Sequence, residues 1–102
     1  MDKEELIEEI KRFLKDIDAK EAILFGSRAV NQHLKRSDVD LIVIDDKFST
    51  MKFVDRLVFL HRHWHLPYFL EGLPYTREEF ERLEKTRGII REAKAHGIVI
   101  HA

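Results

Sequence analysis

Apolar residues recur at helical spacing in four stretches of the chain, and the positions between them are mostly charged. This period predicts amphipathic helices over residues 3–16 and 53–64, from residue 76 to an interruption at Gly88, and from there to Ala95. Thr76-Arg77-Glu78-Glu79 matches a capping box, which marks the start of the third helix. Pro67 ends the second helix, and Gly97 is placed to cap the last one.

Short apolar runs between these stretches predict strands. The run Ala22–Phe25 ends at Gly26-Ser27, and Val39–Ile44 is rich in β-branched residues. Further strands are expected at residues 68–70 and 98–100, with a turn at 74–76, and one or two helical turns over residues 28–36 start from Ser27. The order of elements predicts one domain over residues 1–102, of α/β or α+β class, with a mixed sheet flanked by helices.

Composition narrows the classes of function. The chain has 102 residues, and a hydrophobic fraction of 44% argues against disorder. Its formal net charge is -1, so it has no overall positive field that would attract nucleic acid. The absence of Cys excludes disulfides, thiolate metal sites and cysteine nucleophiles. The charged N-terminus and the lack of a long apolar run lead us to expect a soluble, cytoplasmic protein with no membrane contact.

Two neighbouring features predict a phosphate and metal site. Gly26-Ser27 follows a strand and opens a short helix, so free N–H groups and the Ser27 hydroxyl can receive an anion. Asp38 and Asp40 leave the same face of a strand, with Cα atoms roughly 6.5 to 7 Å apart. Two such carboxylates repel each other, which favours a shared proton or a bound divalent cation. Oxygen ligands suit Mg²⁺ or Mn²⁺.

Ten residues separate Ser27 from Asp38, which gives the pattern G-S-x10-D-x-D. This pattern resembles nucleotidyltransferases of the DNA polymerase beta superfamily. The wider stretch LFGSRAVNQHLKRSDVDLIVI looks like the opening of the minimal nucleotidyltransferases, and residues 71–80 are similar to their third-strand and capping region. The resemblance implies a nucleotidyltransferase-like fold and transfer of a nucleoside monophosphate from an NTP, expected to be ATP, to an acceptor hydroxyl.

The resemblance also assigns roles to individual residues. Asp38, Asp40 and Glu71 are expected to hold two Mg²⁺ or Mn²⁺ ions and to form the catalytic site, and Glu71 stands where the family usually has Asp. The longer Glu71 side chain fits octahedral Mg²⁺ less well and favours Mn²⁺. Gly26, Ser27 and Arg28 are expected to bind the nucleotide. Members of the family often have Arg-Gly where this chain has Ala29-Val30, so Arg28 is the only cation of the motif close to the expected phosphates.

Three hypotheses about the partner stay open. By resemblance, small proteins of this type often accompany a helical HEPN-domain protein as antitoxin and toxin, and the transferase adenylylates its partner. Alternatively, the chain is a catalytically weak binding module that neutralises a partner by contact and keeps a vestigial nucleotide site. A third reading is a homo-oligomer whose acidic site only binds metal.

Other residues have simpler explanations. His61 and His65 are one helical turn apart, as zinc ligands are, but the helix dipole also favours such residues at a helix C-terminus, and this end of the helix could also contact a partner. Asp45 and Asp46 are expected to solubilise a loop. A further set of aromatic residues is expected in the core: Phe48, Phe53, Phe59, Phe69 and Phe80.

Overall fold

The fold contains four α-helices and four strands among the residues that the computed structural model describes, which are 1–26, 29 and 38–102. The helices are α1 (Lys3–Asp16), α2 (Phe53–His63), α3 (Arg77–Thr86) and α4 (Gly88–His96). The strands are β1 (Glu21–Phe25), β2 (Val39–Ile44), β3 (Leu70–Tyr75) and β4 (Ile98–His101). These elements confirm the predicted α+β class, whereas the helix predicted over residues 28–36 lies outside the described residues.

The four strands form one mixed sheet in the order β3-β2-β1-β4. β1 runs antiparallel to both β2 and β4, and β2 runs parallel to β3. A parallel pair needs a long crossover, and α2 lies in the segment that connects β2 to β3. The mixed sheet expected from the sequence is therefore confirmed.

Helices cover both faces of this sheet. On one face α1 and α2 pack against a cluster of buried side chains: Leu6, Ile10, Phe13, Leu14, Ala22, Leu24, Val39, Leu41, Val43, Phe48 and Leu60. On the other face α3 and α4 pack against a smaller cluster: Ile23, Ile42, Ile44, Phe80, Ile90 and Ala93. Because successive strand residues point to opposite faces, β1 and β2 contribute to both clusters.

Local signals in the sequence fix the start of α3. The Thr76 hydroxyl accepts a hydrogen bond from the Glu79 N–H at 3.1 Å, and the Glu79 carboxylate accepts one from the Thr76 N–H at 2.8 Å. The capping box is thus formed as predicted. Arg56 of α2 reaches the same Glu79 carboxylate at 2.6 Å and also donates to the Pro74 carbonyl at 3.2 Å. This buried guanidinium therefore joins α2, β3 and α3.

The third strand lies further along the chain than predicted. Residues 74–76 were expected to form a turn, yet Pro74 and Tyr75 belong to β3 and pair with Val43 and Ile44. Proline is tolerated here because β3 is an edge strand and needs hydrogen bonds on one side only. Residues 46–50 form a short 3₁₀ helix that the sequence did not indicate, and it buries Phe48.

The aromatic residues divide between core and surface. Phe48 and Phe80 are buried, as expected, and Phe59 packs against the larger cluster. The expectation was wrong for Phe53 and Phe69, which are 41% and 60% exposed. Within the described ranges, no helix is both long enough and apolar enough to cross a bilayer.

Candidate active site

Register in the sheet brings two acidic residues side by side. Asp40 of β2 pairs with Glu71 of the parallel strand β3. Neighbouring strands are about 4.8 Å apart, so these side chains leave adjacent positions on the same face. Asp38 lies two residues before Asp40 and therefore points to this face too. The sequence predicted the relation between Asp38 and Asp40, and the parallel pairing adds Glu71.

The carboxylate of Asp40 lies against Gly26, the residue that follows β1. Gly26 has φ +73°, in the left-handed region that favours glycine. A β-carbon on Gly26 would overlap the Asp40 Oδ2 atom and lie 3.1 Å from its Cγ. The missing side chain thus lets the bend after β1 approach the carboxylate closely. The Gly26 carbonyl also accepts a hydrogen bond from the Ala29 N–H at 3.1 Å.

The surroundings of Asp40 disfavour its negative charge. Burial raises the pKa of the Asp40 carboxyl above its ordinary value of 3.8, and the charges of Glu71 and Asp38 raise it further. The three acids are therefore close enough to interact electrostatically, and no described cation neutralises Asp40. A positive ion bound here would relieve this repulsion.

Asp38 and Glu71 are exposed, whereas Asp40 is only partly so. Neither exposed carboxylate has a hydrogen bond or ion pair with another described residue. Across residues 1–26, 29 and 38–102, no group of three or more His, Asp or Glu side chains is arranged to hold a metal ion. The acids thus share a face and an end of the sheet, but their side chains do not form a preassembled ligand cluster.

The remaining predicted nucleotide ligands are Ser27 and Arg28, which lie outside the described residues. Ala29, beyond them, is held by α1, because the Lys3 ammonium group donates a hydrogen bond to the Ala29 carbonyl at 2.8 Å. Sequence reasoning missed this contact, and nothing in the spacing of Lys3 indicates it. α1 therefore helps to position the chain just after Gly26.

Phe25 is a second residue that the sequence analysis missed. It pairs with Asp40 across the antiparallel strands β1 and β2 and packs against the smaller core cluster. Asp40 thus lies between the acidic Glu71 on one side and the aromatic Phe25 on the other. The alternation of side chains from Ile23 to Phe25 was the signal that could have placed Phe25 on this face.

The histidines near the end of α2 lie apart from the carboxylates, because α2 covers the opposite face of the sheet. The His63 Nδ1 atom lies 3.0 Å from the Phe59 carbonyl oxygen, within hydrogen-bond distance. The His61 ring contacts Phe69, with centroids 5.6 Å apart. The expected loop acids also lie elsewhere: Asp45 caps the short helix through the Lys47 N–H, beyond the far end of β2.

Comparison with known proteins adds a family and a fold. The profile of a family described as "Nucleotidyltransferase domain" matches residues 4–100. The fold resembles the crystal structure of a "putative nucleotidyltransferase" from Sulfolobus solfataricus, with a TM-score of 0.62 and 20% sequence identity over 78% of this chain and 75% of that one. At this identity the likeness shows the fold alone. No curated protein matches the chain.

Proposed function

The chain belongs to the nucleotidyltransferase domain family, and from this premise we propose that Asp38, Asp40 and Glu71 form its catalytic site. The reaction is transfer of a nucleoside monophosphate from an NTP to an acceptor hydroxyl. The observation that best supports this proposal is the pairing of Asp40 with Glu71 beside Gly26, at the end of β2 that Asp38 directly precedes. Three acids and a backbone bend without a side chain thus share one end of the sheet.

The donors at this place fit hard divalent cations. Carboxylate oxygens are the ligands that Mg²⁺ and Mn²⁺ prefer. The raised pKa of Asp40, caused first by burial and then by Glu71 and Asp38, is the electrostatic signature of acids that lack a counterion. We expect two ions, and their binding requires the exposed side chains of Asp38 and Glu71 to turn towards Asp40.

Each residue then has a defined task. Asp38 and Asp40 would hold the ions, and Glu71 would complete the ligand set and accept the proton of the acceptor hydroxyl. The acceptor oxygen forms a bond to the α-phosphorus, the bond from that phosphorus to the β-phosphate bridging oxygen breaks, and pyrophosphate leaves. When bound, the divalent ions supply charge neutralisation and a lower pKa of the acceptor hydroxyl.

The nucleotide lies, in this proposal, along the bend after β1. Because Gly26 has no β-carbon, the bend lies close against the Asp40 carboxylate, so phosphates held by the bend would lie next to this acid. Ser27 and the backbone N–H groups hold the β- and γ-phosphates, and Arg28 adds positive charge. ATP is the expected donor, on the basis of the family resemblance.

The acceptor is a hydroxyl on a partner protein, and a helical HEPN-domain protein is the partner that the resemblance suggests. The exposure of Asp38 and Glu71 supports a large acceptor, since these acids lie open to solvent among the described residues. In this arrangement the chain acts as an antitoxin that adenylylates its partner.

A second candidate function is neutralisation of the partner by contact alone. The specific observation in its favour is that the described acids do not form a preassembled cluster of three ligands. The extra methylene of Glu71, compared with Asp, also favours this second function, because it fits octahedral Mg²⁺ less well. In this case the nucleotide site is vestigial, and loss of one carboxylate leaves neutralisation intact.

Mass spectrometry of the partner separates the two functions. The chain is incubated with each NTP, with Mg²⁺ or Mn²⁺, and with the product of the adjacent gene. Transfer predicts a gain of one nucleoside monophosphate on the partner, which Asp40→Asn abolishes. Asp46→Asn is the matched control, because Asp46 is an exposed acid beyond the other end of β2 and should leave transfer unchanged.

Two results would count against transfer. An unchanged partner mass with all four NTPs and both ions contradicts it. Full neutralisation of the partner by the Asp40→Asn variant supports the contact mechanism instead.

A further inference from the structure

The outer face of α2 exposes apolar side chains to solvent. Val54 is 68% exposed and Val58 is 50% exposed, whereas Leu60, on the inner face, is fully buried. Phe69 is 60% exposed and extends this surface through its ring contact with His61. A soluble helix normally places charged residues on such a face, so the pattern indicates that something covers it.

The shape of this face fits a second helix. Residues four apart on a helix form ridges, and here Leu57 and His61 form one ridge while Val58 and Arg62 form the next. The same four side chains line a shallow depression on the surface of α2. A row of small apolar side chains from another helix can enter such a groove.

Charged residues flank the apolar face in a particular order. Asp55 lies in the first turn of α2 and Arg62 in its last turn. They are seven residues apart, or about two helical turns, and therefore lie on the same side of the helix. Within the described part of the chain neither side chain forms an ion pair, so both charges are available to a partner.

We propose that this face of α2 binds the same face of a second copy of the chain, with the two helices antiparallel about a two-fold axis next to Val58. In a two-fold pair each residue contact occurs twice. Residues 55 and 62 are almost equally far from residue 58 along the helix, so Asp55 of one copy lies opposite Arg62 of the other, and the reverse. Val58 packs on its own symmetry mate, and Val54 enters the groove beside His61.

The self-complementary order of charges selects a second copy over an unrelated partner. The antiparallel arrangement forms two opposite-charge pairs, whereas a parallel one would place Asp55 against Asp55 and Arg62 against Arg62. One helix face is smaller than the roughly 800 Å² that each partner buries in a standard interface. A reversible dimer with a dissociation constant on the order of micromolar is therefore expected.

This dimer is independent of the proposed chemistry. α2 packs on the face that Val39, Leu41 and Leu70 share, and Asp40 and Glu71 alternate with these residues, so pairing through Val54 and Val58 leaves the face with the acids open. Failure of the dimer would not affect the transfer reaction, and failure of transfer would not affect the dimer.

Charge reversal measured by sedimentation equilibrium tests the proposal. Asp55→Arg alone and Arg62→Asp alone each place like charges opposite each other, and each should weaken dimerisation at least about 10-fold. The double variant Asp55→Arg with Arg62→Asp restores opposite charges in swapped positions and should recover the dimer. Val58→Asp places two carboxylates at the axis and should give a monomer.

Ile89→Asp is the control, because Ile89 is an apolar residue of α4 with comparable exposure, 58%, and lies outside the proposed interface. It should leave the dimer unchanged, and circular dichroism checks that every variant is folded. A wild-type chain that stays monomeric at concentrations up to about a millimolar overturns the proposal, whatever else binds this face. A dimer that persists in Val58→Asp, or a double variant as weak as the single ones, overturns it as well.

Discussion

The Asp40 carboxylate lies in the space that a side chain on Gly26 would fill. A β-carbon on Gly26 would overlap the Oδ2 atom of Asp40, and the backbone of Gly26 has φ +73°. The contact joins the bend after β1 to the middle of the acidic group on β2 and β3. Glycine is therefore needed at position 26 for two reasons: the close contact with the Asp40 carboxylate and the positive φ of the bend.

Gly26→Ala should therefore lower both stability and nucleotide binding. Alanine with positive φ and a displaced Asp40 carboxylate together should reduce the free energy of unfolding by about 1–3 kcal/mol. Chemical denaturation measures this loss, and calorimetry with a metal-bound NTP measures binding. Gly88→Ala is the matched control, since the nearest atom to its added carbon is 4.0 Å away, and it should not lower stability. Equal stability of the two variants would contradict the close contact seen at Gly26.

Asp40→Asn should stabilise the metal-free protein at neutral pH. The pKa of Asp40 is raised in the folded state, mainly by burial and then by Glu71 and Asp38. Ionised Asp40 therefore disfavours folding, and this cost develops as the pH rises through the folded pKa. Below the ordinary value of 3.8 the carboxyl is protonated in both states, and the cost disappears.

The expected gain in the free energy of unfolding at pH 7 is about 1 kcal/mol, within the range that single stabilising substitutions reach. Thermal unfolding with and without Mg²⁺ or Mn²⁺ checks it. The ions should stabilise the wild-type chain more than the Asp40→Asn variant, so the difference in stability between the two should become smaller when metal is present. A variant less stable than the wild type at pH 7 without metal would contradict this explanation.

The partly buried ion pair between Arg56 and Glu79 should dominate acid unfolding of this region. Arg56 is 6% exposed and contacts the Glu79 carboxylate at 2.6 Å. The hydrogen bond from Arg56 is the main cause that lowers the pKa of Glu79 below its ordinary value of 4.5. The resulting stability is present above 4.5 and is lost as the pH falls through the folded pKa. Glu79→Gln should therefore flatten the pH dependence of unfolding below 4.5.

Arg56→Ala should cost about 3 kcal/mol, because it removes the cation that pairs with the Glu79 carboxylate and the donor to the Pro74 carbonyl. Arg77→Ala is the comparison, since Arg77 also pairs with an acid, Glu21, but its side chain is 47% exposed. Its loss should cost less than about 1 kcal/mol. Urea denaturation measures the free energy of unfolding of both variants. Similar losses would show that burial of the arginine does not determine how much each ion pair stabilises the fold.

Shortening Glu71 tests whether its length restricts the choice of metal. Glu71→Asp retracts the carboxylate by one methylene and introduces the acid that the family resemblance implies at this position. The rate of transfer with Mg²⁺, relative to Mn²⁺, should rise about 10-fold or more if geometry limits the reaction. Glu71→Gln keeps the length, removes the charge and should abolish transfer. Full transfer by Glu71→Gln would remove this residue from the proposed site.

Much of the fold follows from local patterns in the sequence. The apolar period predicted α1 and α2, and the capping box placed the start of α3 at Thr76. β3 was misplaced because its position depends on pairing with β2 rather than on composition. Pro74 indicated a turn, and only the edge position of the strand makes a proline compatible with the sheet.

The site was predictable in part for the same reason. The two-residue spacing of Asp38 and Asp40 predicted that they share one face, since that relation is local. The position of Glu71 beside Asp40 depends on the register of two strands that are distant in sequence, and only the family resemblance suggested it. The contact of Lys3 with Ala29 depends on how α1 packs, so no spacing indicates it.

Paramagnetic broadening by Mn²⁺ tests most directly whether one metal and nucleotide site forms at these acids. The chain, labelled with ¹⁵N, is titrated with Mn²⁺ and a non-hydrolysable NTP analogue. The amide signals of Gly26, Asp38, Asp40 and Glu71 should lose intensity first, and those of Asp45 and Asp46 should persist at the same Mn²⁺ concentration. Uniform broadening, or broadening centred on Asp45 and Asp46 or on the histidines of α2, would contradict the proposed site.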